Sequence, residues 1–150
     1  MSDPSSRRSF LNRSIIAPAL AAGPAVLTAL GANNRIRAGW IGTGSRGNYL
    51  MERAYAGSGS IVEVTAVCDT YEGNLARAKD RVQTTGKNSP KTYIDYKELL
   101  ADPNVEAVVI ATPEHLHHEM AIAALKAGKH IYVEKPLAHT IEEGEEILQV

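Results

Sequence analysis

The chain has 150 residues, of which 44% are hydrophobic and 22% are charged, and its formal net charge at pH 7 is −1. This composition is typical of one globular domain with a single core, and the length excludes an obvious second domain. A net charge near zero gives no basis for binding nucleic acid or an anionic membrane surface.

The first 33 residues differ from the rest of the chain. Residues 6–12 read SRRSFLN, which resembles the twin-arginine export motif, and an apolar stretch follows over residues 15–30. The stretch contains two prolines and a glycine and is shorter than the roughly 20 apolar residues of a membrane span. We predict a twin-arginine signal peptide over residues 1–33, with the twin-arginine translocase as partner and the bacterial periplasm as destination. The alternative is a disordered basic tail.

A glycine-rich turn follows a short apolar strand. Residues 36–47 read IRAGWIGTGSRG and contain the pattern Gly42-x-Gly44-x-x-Gly47. In a dinucleotide-binding turn the first glycine allows the tight bend, the second lets a pyrophosphate approach the backbone, and the third lets a helix pack closely. The N-terminus of that helix offers unpaired N–H groups to phosphates. We therefore predict that this turn binds a dinucleotide, with further contacts from Thr43, Ser45 and Arg46.

An acidic residue follows the second predicted strand at the spacing that this fingerprint requires. The strand covers residues 61–68 and leads into Asp69, about 20 residues after Gly47. A carboxylate there can accept hydrogen bonds from the adenosine ribose and repels a 2′-phosphate, so NAD is favoured over NADP. Two alternatives stay open: Asp69 caps the next helix, or Arg46 stands beside the ribose and accommodates a 2′-phosphate.

The rest of the chain alternates predicted helices and strands. Helices are predicted over residues 72–82, 96–101 and 119–127, and strands over 92–94, 105–111 and 130–133, while the capping box Thr140-x-x-Glu143 opens a last helix. This order predicts an α/β fold, a doubly wound parallel sheet of the Rossmann type over residues 34–150. Cys68 is the only cysteine and lies in a strand, so we expect a small buried hydrophobic residue.

Three motifs in the second half resemble one family. They are ATPEHLH at residues 111–117, AGKH at 127–130 and YVEKPLA at 132–138, and the similarity covers residues 35–150. The family is that of glucose–fructose oxidoreductase and inositol dehydrogenase (Gfo/Idh/MocA). Its members continue with further strands and an α+β domain that supplies most of the substrate pocket. The resemblance therefore implies a truncated Rossmann domain without the substrate-binding domain, inactive by itself.

The resemblance also assigns roles to matching residues. Lys135 would point toward the nicotinamide and the substrate and assist proton movement, with Pro136 fixing the turn that carries it. Glu134 would orient the site rather than perform chemistry. Thr112 and Pro113 end a strand at the carboxyl edge of the sheet, where such folds bind ligands. For Lys135 the alternative is an ordinary surface turn.

The histidines suggest a metal site that we do not favour. His115, His117 and His118 fall close together, but zinc needs three or four converging ligands and no nearby cysteine or acidic cluster supplies the others. We therefore predict no metal. The resemblance implies that His117 lines the pocket and acts with Lys135 in catalysis, and we expect His115 in the same cleft. We expect His118 to face solvent, and His130 and His139 to be structural.

By this resemblance the parent protein is an NAD-dependent oxidoreductase. It would transfer hydride between a carbon of a sugar or polyol and C4 of the nicotinamide, as a homo-oligomer. One alternative is the redox-neutral use of bound NAD in the glycosidase branch of the family, where transient oxidation of a sugar enables loss of its glycosidic substituent. The other is a nucleotide-binding module without catalysis.

Overall fold

The computed structural model describes residues 35–58 and 61–150. These residues contain five strands: β1 (Ile36–Ile41), β2 (Val62–Cys68), β3 (Lys91–Tyr93), β4 (Ala107–Ile110) and β5 (His130–Val133). All neighbouring strands pair in parallel, in the order β3-β2-β1-β4-β5. The predicted α/β fold with a doubly wound parallel sheet is confirmed. The predicted signal peptide lies outside the described residues.

Five helices connect or follow the strands. They are α1 (Ser45–Ser58), α2 (Glu72–Arg81), α3 (Tyr96–Ala101), α4 (His117–Lys126) and α5 (Ile141–Gln149). A 3-10 turn at Glu114–Leu116 leads into α4, so this helix begins earlier than predicted. The Thr140 hydroxyl accepts the Glu143 N–H at 3.2 Å, as the capping box predicts, although the Glu143 carboxylate accepts the N–H of His139. No helix among the described residues is long and apolar enough to cross a membrane.

Alternation along β1 and β2 divides the core between the two faces of the sheet. Trp40 and Val64 pack on one face with side chains of α1 and α2, such as Met51 and Leu75. Ile41 and its neighbours on the other face pack with α3, α4 and α5 through Leu99, Leu100, Met120, Ala121 and Ile147. Both faces of the central strands are therefore buried, which explains their nearly continuous apolar sequences.

Cys68 ends β2 inside this second cluster. Its side chain is buried, and burial raises the pKa of the thiol to about 12. The thiol therefore stays protonated at neutral pH. Cys68 is a small buried hydrophobic residue, as predicted.

The turn between β1 and α1 depends on two glycines. Gly42 has φ of +84°, and a Cβ there would lie 2.7 Å from the carbonyl oxygen of Ala111. Its N–H donates to the Cys68 carbonyl at 2.9 Å, which ties the turn to the end of β2. Gly47 lies in the first turn of α1, where a Cβ would overlap the carbonyl oxygen of Gly42. The contact sets how closely α1 packs on the turn.

We expect Gly47→Ala to lower the free energy of unfolding by about 1–3 kcal/mol, because the new methyl group would overpack the turn. Gly144→Ala is the control: Gly144 lies within α5, and a Cβ there meets no atom within 4 Å. That substitution should raise stability by about 0.5–1 kcal/mol through the better helix propensity of alanine. Urea unfolding measures both. A Gly47→Ala protein as stable as the wild type would contradict the packing described.

Candidate functional site

The carboxyl ends of four parallel strands place the predicted site residues along one edge of the sheet. The glycine loop, residues 42–44, follows β1, and Asp69 follows β2. Thr112 lies just after β4, while Glu134 and Lys135 follow β5. Ligands of open α/β sheets bind at this edge, where the strand order reverses direction.

The glycine loop exposes backbone to an open space. A Cβ built on Gly44 would have a single neighbour within 4 Å, Asn74 Nδ2 at 3.7 Å, so a ligand can approach this backbone closely. Ser45 begins α1 and is exposed, and the first N–H groups of a helix lack intrahelical partners. The side-chain amide of Asn48 donates to the carbonyls of Thr43 and Gly44. The loop therefore fits the pyrophosphate of a dinucleotide.

Asp69 hydrogen-bonds both the glycine loop and the chain after β2. Its Oδ2 accepts the N–H and the hydroxyl of Thr43 at 2.7 and 3.2 Å, and the amide of Asn74 at 3.1 Å. Oδ1 accepts the Tyr71 N–H at 2.9 Å and has capacity left for a ribose hydroxyl. The N-cap of α2 is Tyr71, so Asp69 is not the N-cap residue of this helix, although it accepts the N–H of that residue.

Two asparagines complete the loop, and the sequence analysis did not identify them. Asn48 and Asn74 lie in the first turns of α1 and α2 and bond the loop carbonyls and Asp69, respectively. The side chain of Arg77, one turn further along α2, donates to Asn74 Oδ1. The only sequence signal for these two asparagines was their position, about one helical turn after the glycine loop and after Asp69, respectively.

Arg46 pairs with the carboxylate of Glu134. Its Nη2 and Nε lie 2.5 and 2.8 Å from Glu134 Oε1, and its guanidinium carbon lies 5.2 Å from the centre of the Tyr49 ring. Because Glu134 follows β5 and Asp69 follows β2, Arg46 is directed to the opposite side of the loop from the ribose carboxylate. The alternative in which Arg46 stands beside the ribose is therefore wrong.

The contact between Arg46 and Glu134 also shifts the pKa values of both side chains. Hydrogen bonds between the two side chains raise the pKa of Arg46 above its ordinary value and lower that of Glu134. The Glu134 carboxylate is buried, whereas the side chain of Arg46 is about half exposed. Both groups therefore stay charged at neutral pH.

A cavity of about 450 Å³ opens between the glycine loop and the turn after β5. Its lining includes Arg46, Ala111, Thr112, Glu114, His117, Glu134 and Lys135. Lys135 is exposed, and its backbone N–H donates to Glu134 Oε2 at 3.2 Å. The peptide bond between Lys135 and Pro136 is cis. The cavity thus has Lys135 in its wall together with Arg46 of the first turn of α1.

His117 forms part of the cavity wall, but both of its ring nitrogens are used by the fold. The ring is 1% exposed, with Nδ1 2.7 Å from the carbonyl oxygen of Pro136 and Nε2 3.0 Å from that of Thr112. A neutral imidazole has one N–H, so only the doubly protonated ring can donate to both carbonyls. His117 connects the ends of β4 and β5. These two contacts give His117 a structural role, and its predicted part in catalysis beside Lys135 stays a prediction.

The other histidines differ in exposure and in their partners. His115 is exposed in the 3-10 turn and is not among the residues that line the cavity, and Pro113 is exposed before it. His118 Nε2 lies 3.0 Å from Glu146 Oε2 on α5, so the expectation that it faces solvent is wrong. His139 lies 3.7 Å from Glu114, and His130 is exposed at the start of β5. Residues 35–58 and 61–150 contain no group of three or more potential metal ligands.

Comparison with known proteins extends these observations. Residues 36–150 match the model of an oxidoreductase family with an NAD-binding Rossmann fold, Gfo/Idh/MocA. A glycosyl hydrolase family 109 protein of Shewanella baltica is 36% identical over 135 residues, which are 87% of this chain and 29% of that protein. An α-N-acetylgalactosaminidase of Shewanella oneidensis is 34% identical over 142 residues, 91% and 30% of the two chains. The chain thus spans less than a third of these relatives.

A solved structure has the same fold. The WlbA dehydrogenase of Bordetella pertussis, in complex with NADH and UDP-GlcNAcA, superimposes with a TM-score of 0.66 and 32% sequence identity. The match covers 77% of this chain and 34% of the dehydrogenase. The structural likeness and the family match therefore point to the same class of domain.

We expect His117→Ala to lower the free energy of unfolding by about 2–4 kcal/mol, because it removes a buried ring and the hydrogen bonding that links this ring to the carbonyls of Thr112 and Pro136. His115→Ala is the control and should change stability by less than about 0.5 kcal/mol, since that side chain is exposed. Urea unfolding of the two variants checks this. A His117→Ala protein with unchanged stability would contradict the structural role described for this residue.

Proposed function

This chain belongs to the Gfo/Idh/MocA oxidoreductase family, and we propose that its parent protein binds NAD at this domain and uses it to oxidise a carbon of a sugar or polyol. The observation that carries the proposal is the arrangement of three features along one sheet edge. They are the open backbone at Gly44, the carboxylate of Asp69 and the presence of Lys135 in the wall of the cavity.

Residues on the two sides of the glycine loop would bind different parts of the cofactor. The N–H groups at the start of α1 would bind the pyrophosphate, and Asp69 Oδ1 would accept a ribose hydroxyl. The negative charge of Asp69 disfavours a 2′-phosphate, so NAD is preferred over NADP. Thr112 and the turn after β5 lie on the other side of the loop, where the nicotinamide would reach. When bound, NAD supplies the hydride acceptor.

Lys135 is the group that we assign to proton transfer. Its amine would accept the proton of a substrate hydroxyl while the hydride leaves the carbon that carries this hydroxyl. The neighbouring residues set the direction of the lysine: Glu134 accepts its backbone N–H, and His117 lies against the carbonyl of Pro136. These contacts restrict the turn from both sides, which favours a defined position for the amine.

A redox-neutral reaction is the second candidate. It is supported by the relatives named glycosyl hydrolase family 109 protein and α-N-acetylgalactosaminidase. Oxidation of a sugar hydroxyl to a ketone acidifies the adjacent C–H, so the glycosidic substituent can leave by elimination. Water adds to the resulting double bond, and the hydride then returns to the ketone, so no cofactor is consumed. The same lysine could serve the oxidation step in either reaction.

Some features of the parent protein rest on the sequence and the resemblance alone. We propose that residues 1–33 direct export through the twin-arginine translocase to the periplasm, on the basis of the SRRSFLN run and the apolar stretch after it. We also propose that a following α+β domain supplies most of the substrate pocket and that the parent protein is a homo-oligomer. The short span of this chain against its relatives is consistent with a larger parent.

The function is tested by incubating the parent protein with NAD and a panel of sugars, polyols and glycosides. We expect substrate-dependent NADH formation for an oxidoreductase, and glycoside cleavage without net NADH for the second candidate. Lys135→Ala should lower either rate by about 10²–10⁴-fold while NAD affinity by calorimetry changes little. Bound NAD without either activity would leave a nucleotide-binding module. Normal turnover by Lys135→Ala would remove this residue from the mechanism.

Cofactor preference is tested with Asp69→Asn. This change keeps a side-chain oxygen for the Thr43 N–H but removes the charge that repels a 2′-phosphate. We expect the ratio of NAD to NADP affinity to fall at least tenfold, since a charged hydrogen bond contributes about 1.5–3 kcal/mol. Asp80→Asn is the control, because this exposed carboxylate lies further along α2. Calorimetry with both cofactors measures the ratio, and a wild-type protein that prefers NADP would refute the assignment.

A further inference from the structure

Glu134 is a buried carboxylate whose two oxygens are bonded to different parts of the site. Its Oε1 accepts both hydrogen bonds from Arg46, on the first turn of α1, at 2.5 and 2.8 Å. Its Oε2 accepts the backbone N–H of Lys135 at 3.2 Å. One side chain therefore joins the helix that begins at the glycine loop to the turn that carries the lysine, across 88 positions of sequence.

The contact differs from an ordinary surface ion pair of the same residue types. In the Arg37–Glu106 pair, which joins β1 to the residue before β4 at 2.7 Å, both side chains are close to half exposed. The Glu134 side chain is 7% exposed, and its backbone N–H donates to the Ile110 carbonyl at 2.9 Å, which fixes its position beside β4. A buried carboxylate without its partner is an uncompensated charge and is strongly unfavourable.

Arg46 offsets the negative charge of the buried Glu134 carboxylate. Arg46, Glu134 and Lys135 line the same cavity, so the carboxylate has two cations within its surroundings. Both hydrogen bonds from the Arg46 guanidinium go to Oε1, and the positive charge of Arg46 offsets the negative charge of Glu134. Lys135 is the other lysine or arginine in the lining of this cavity, so its ammonium group can take the place of Arg46. The lysine would then pair with Glu134 and turn away from the substrate.

We propose that the Arg46–Glu134 pair is a positioning element that couples the glycine loop to Lys135 and sets the rate of turnover rather than the affinity for cofactor. The inference rests on the proposed function for the role of Lys135. Arg46 keeps Glu134 from binding the lysine amine, while Glu134 holds the lysine backbone in place. Neither residue needs to touch the reacting atoms.

The test is a double-mutant cycle in the parent protein: Arg46→Gln, Glu134→Gln and the double variant. Arg46→Gln leaves a charged Glu134 free to pair with Lys135, so kcat should fall by about tenfold to a hundredfold. The double variant removes that charge, and its kcat should exceed that of Arg46→Gln by about threefold or more. NAD affinity by calorimetry should change by less than about threefold in all three. Arg37→Gln and Glu106→Gln are the matched controls and should leave both kcat and NAD affinity unchanged.

Hydrogen–deuterium exchange supplies a readout that needs no turnover. The segment 134–138 should exchange faster in Arg46→Gln than in the wild type, although position 46 does not contact the Lys135 N–H directly. If NAD binds but no sugar or glycoside reacts, the proposed function is wrong. The exchange rate of residues 134–138 still tests whether Arg46 is coupled to the turn that carries Lys135. Arg46→Lys keeps the positive charge but cannot make both guanidinium hydrogen bonds to Glu134. The exchange rate of residues 134–138 in this variant should lie between the rates of the wild type and Arg46→Gln. It replaces Arg46→Gln in the test if that variant folds poorly.

Three results would overturn the proposal. The first is unchanged exchange at residues 134–138 in folded Arg46→Gln or Arg46→Lys. The second is a double variant whose fold loss of kcat equals the product of the two single fold losses. The third is a tenfold or greater loss of NAD affinity in Arg46→Gln with kcat retained, which would make Arg46 a phosphate ligand instead.

Discussion

The contact between Gly42 and Gly47 is the constraint on which the rest of the site depends. The carbonyl oxygen of Gly42 occupies the position that a side chain of residue 47 would need, so α1 begins directly on the turn. The left-handed conformation of Gly42 lets the chain bend within a few residues of β1. The first N–H groups of the helix therefore face the carboxyl edge of the sheet, where a phosphate can reach them.

Carboxylates from two other strands position this loop from opposite sides. Asp69, after β2, accepts the N–H and hydroxyl of Thr43, and Glu134, after β5, accepts the guanidinium of Arg46. Each carboxylate also accepts a backbone N–H of its own segment, from Tyr71 and Lys135 respectively. The loop is thus connected by hydrogen bonds to both halves of the sheet. A change in the loop is expected to affect both ends of a ligand that spans it.

The two sides of the loop offer different chemistry to such a ligand. The Asp69 side presents a carboxylate and the asparagine network, which suit hydroxyl groups of a ribose. On the Glu134 side, Lys135 lies in the wall of a cavity where Glu134 is paired with Arg46. The proposed function therefore assigns ribose binding and proton transfer to different parts of one sheet edge of the family's NAD-binding fold.

The sequence alone determined the fold and the local geometry of the glycine turn. Strand β5 and helix α3 match their predicted bounds, because apolar β-branched runs and helical periodicity are local signals. Gly42 was identifiable because only glycine readily accepts its backbone angles. The roles of Arg46, His117 and His118 were decided by tertiary structure. Their partners lie on other elements, Glu134 88 positions from Arg46 and the carbonyl of Pro136 19 positions from His117. No periodicity or motif specifies which of several nearby polar groups a side chain meets, because packing of the whole sheet and its helices sets those distances.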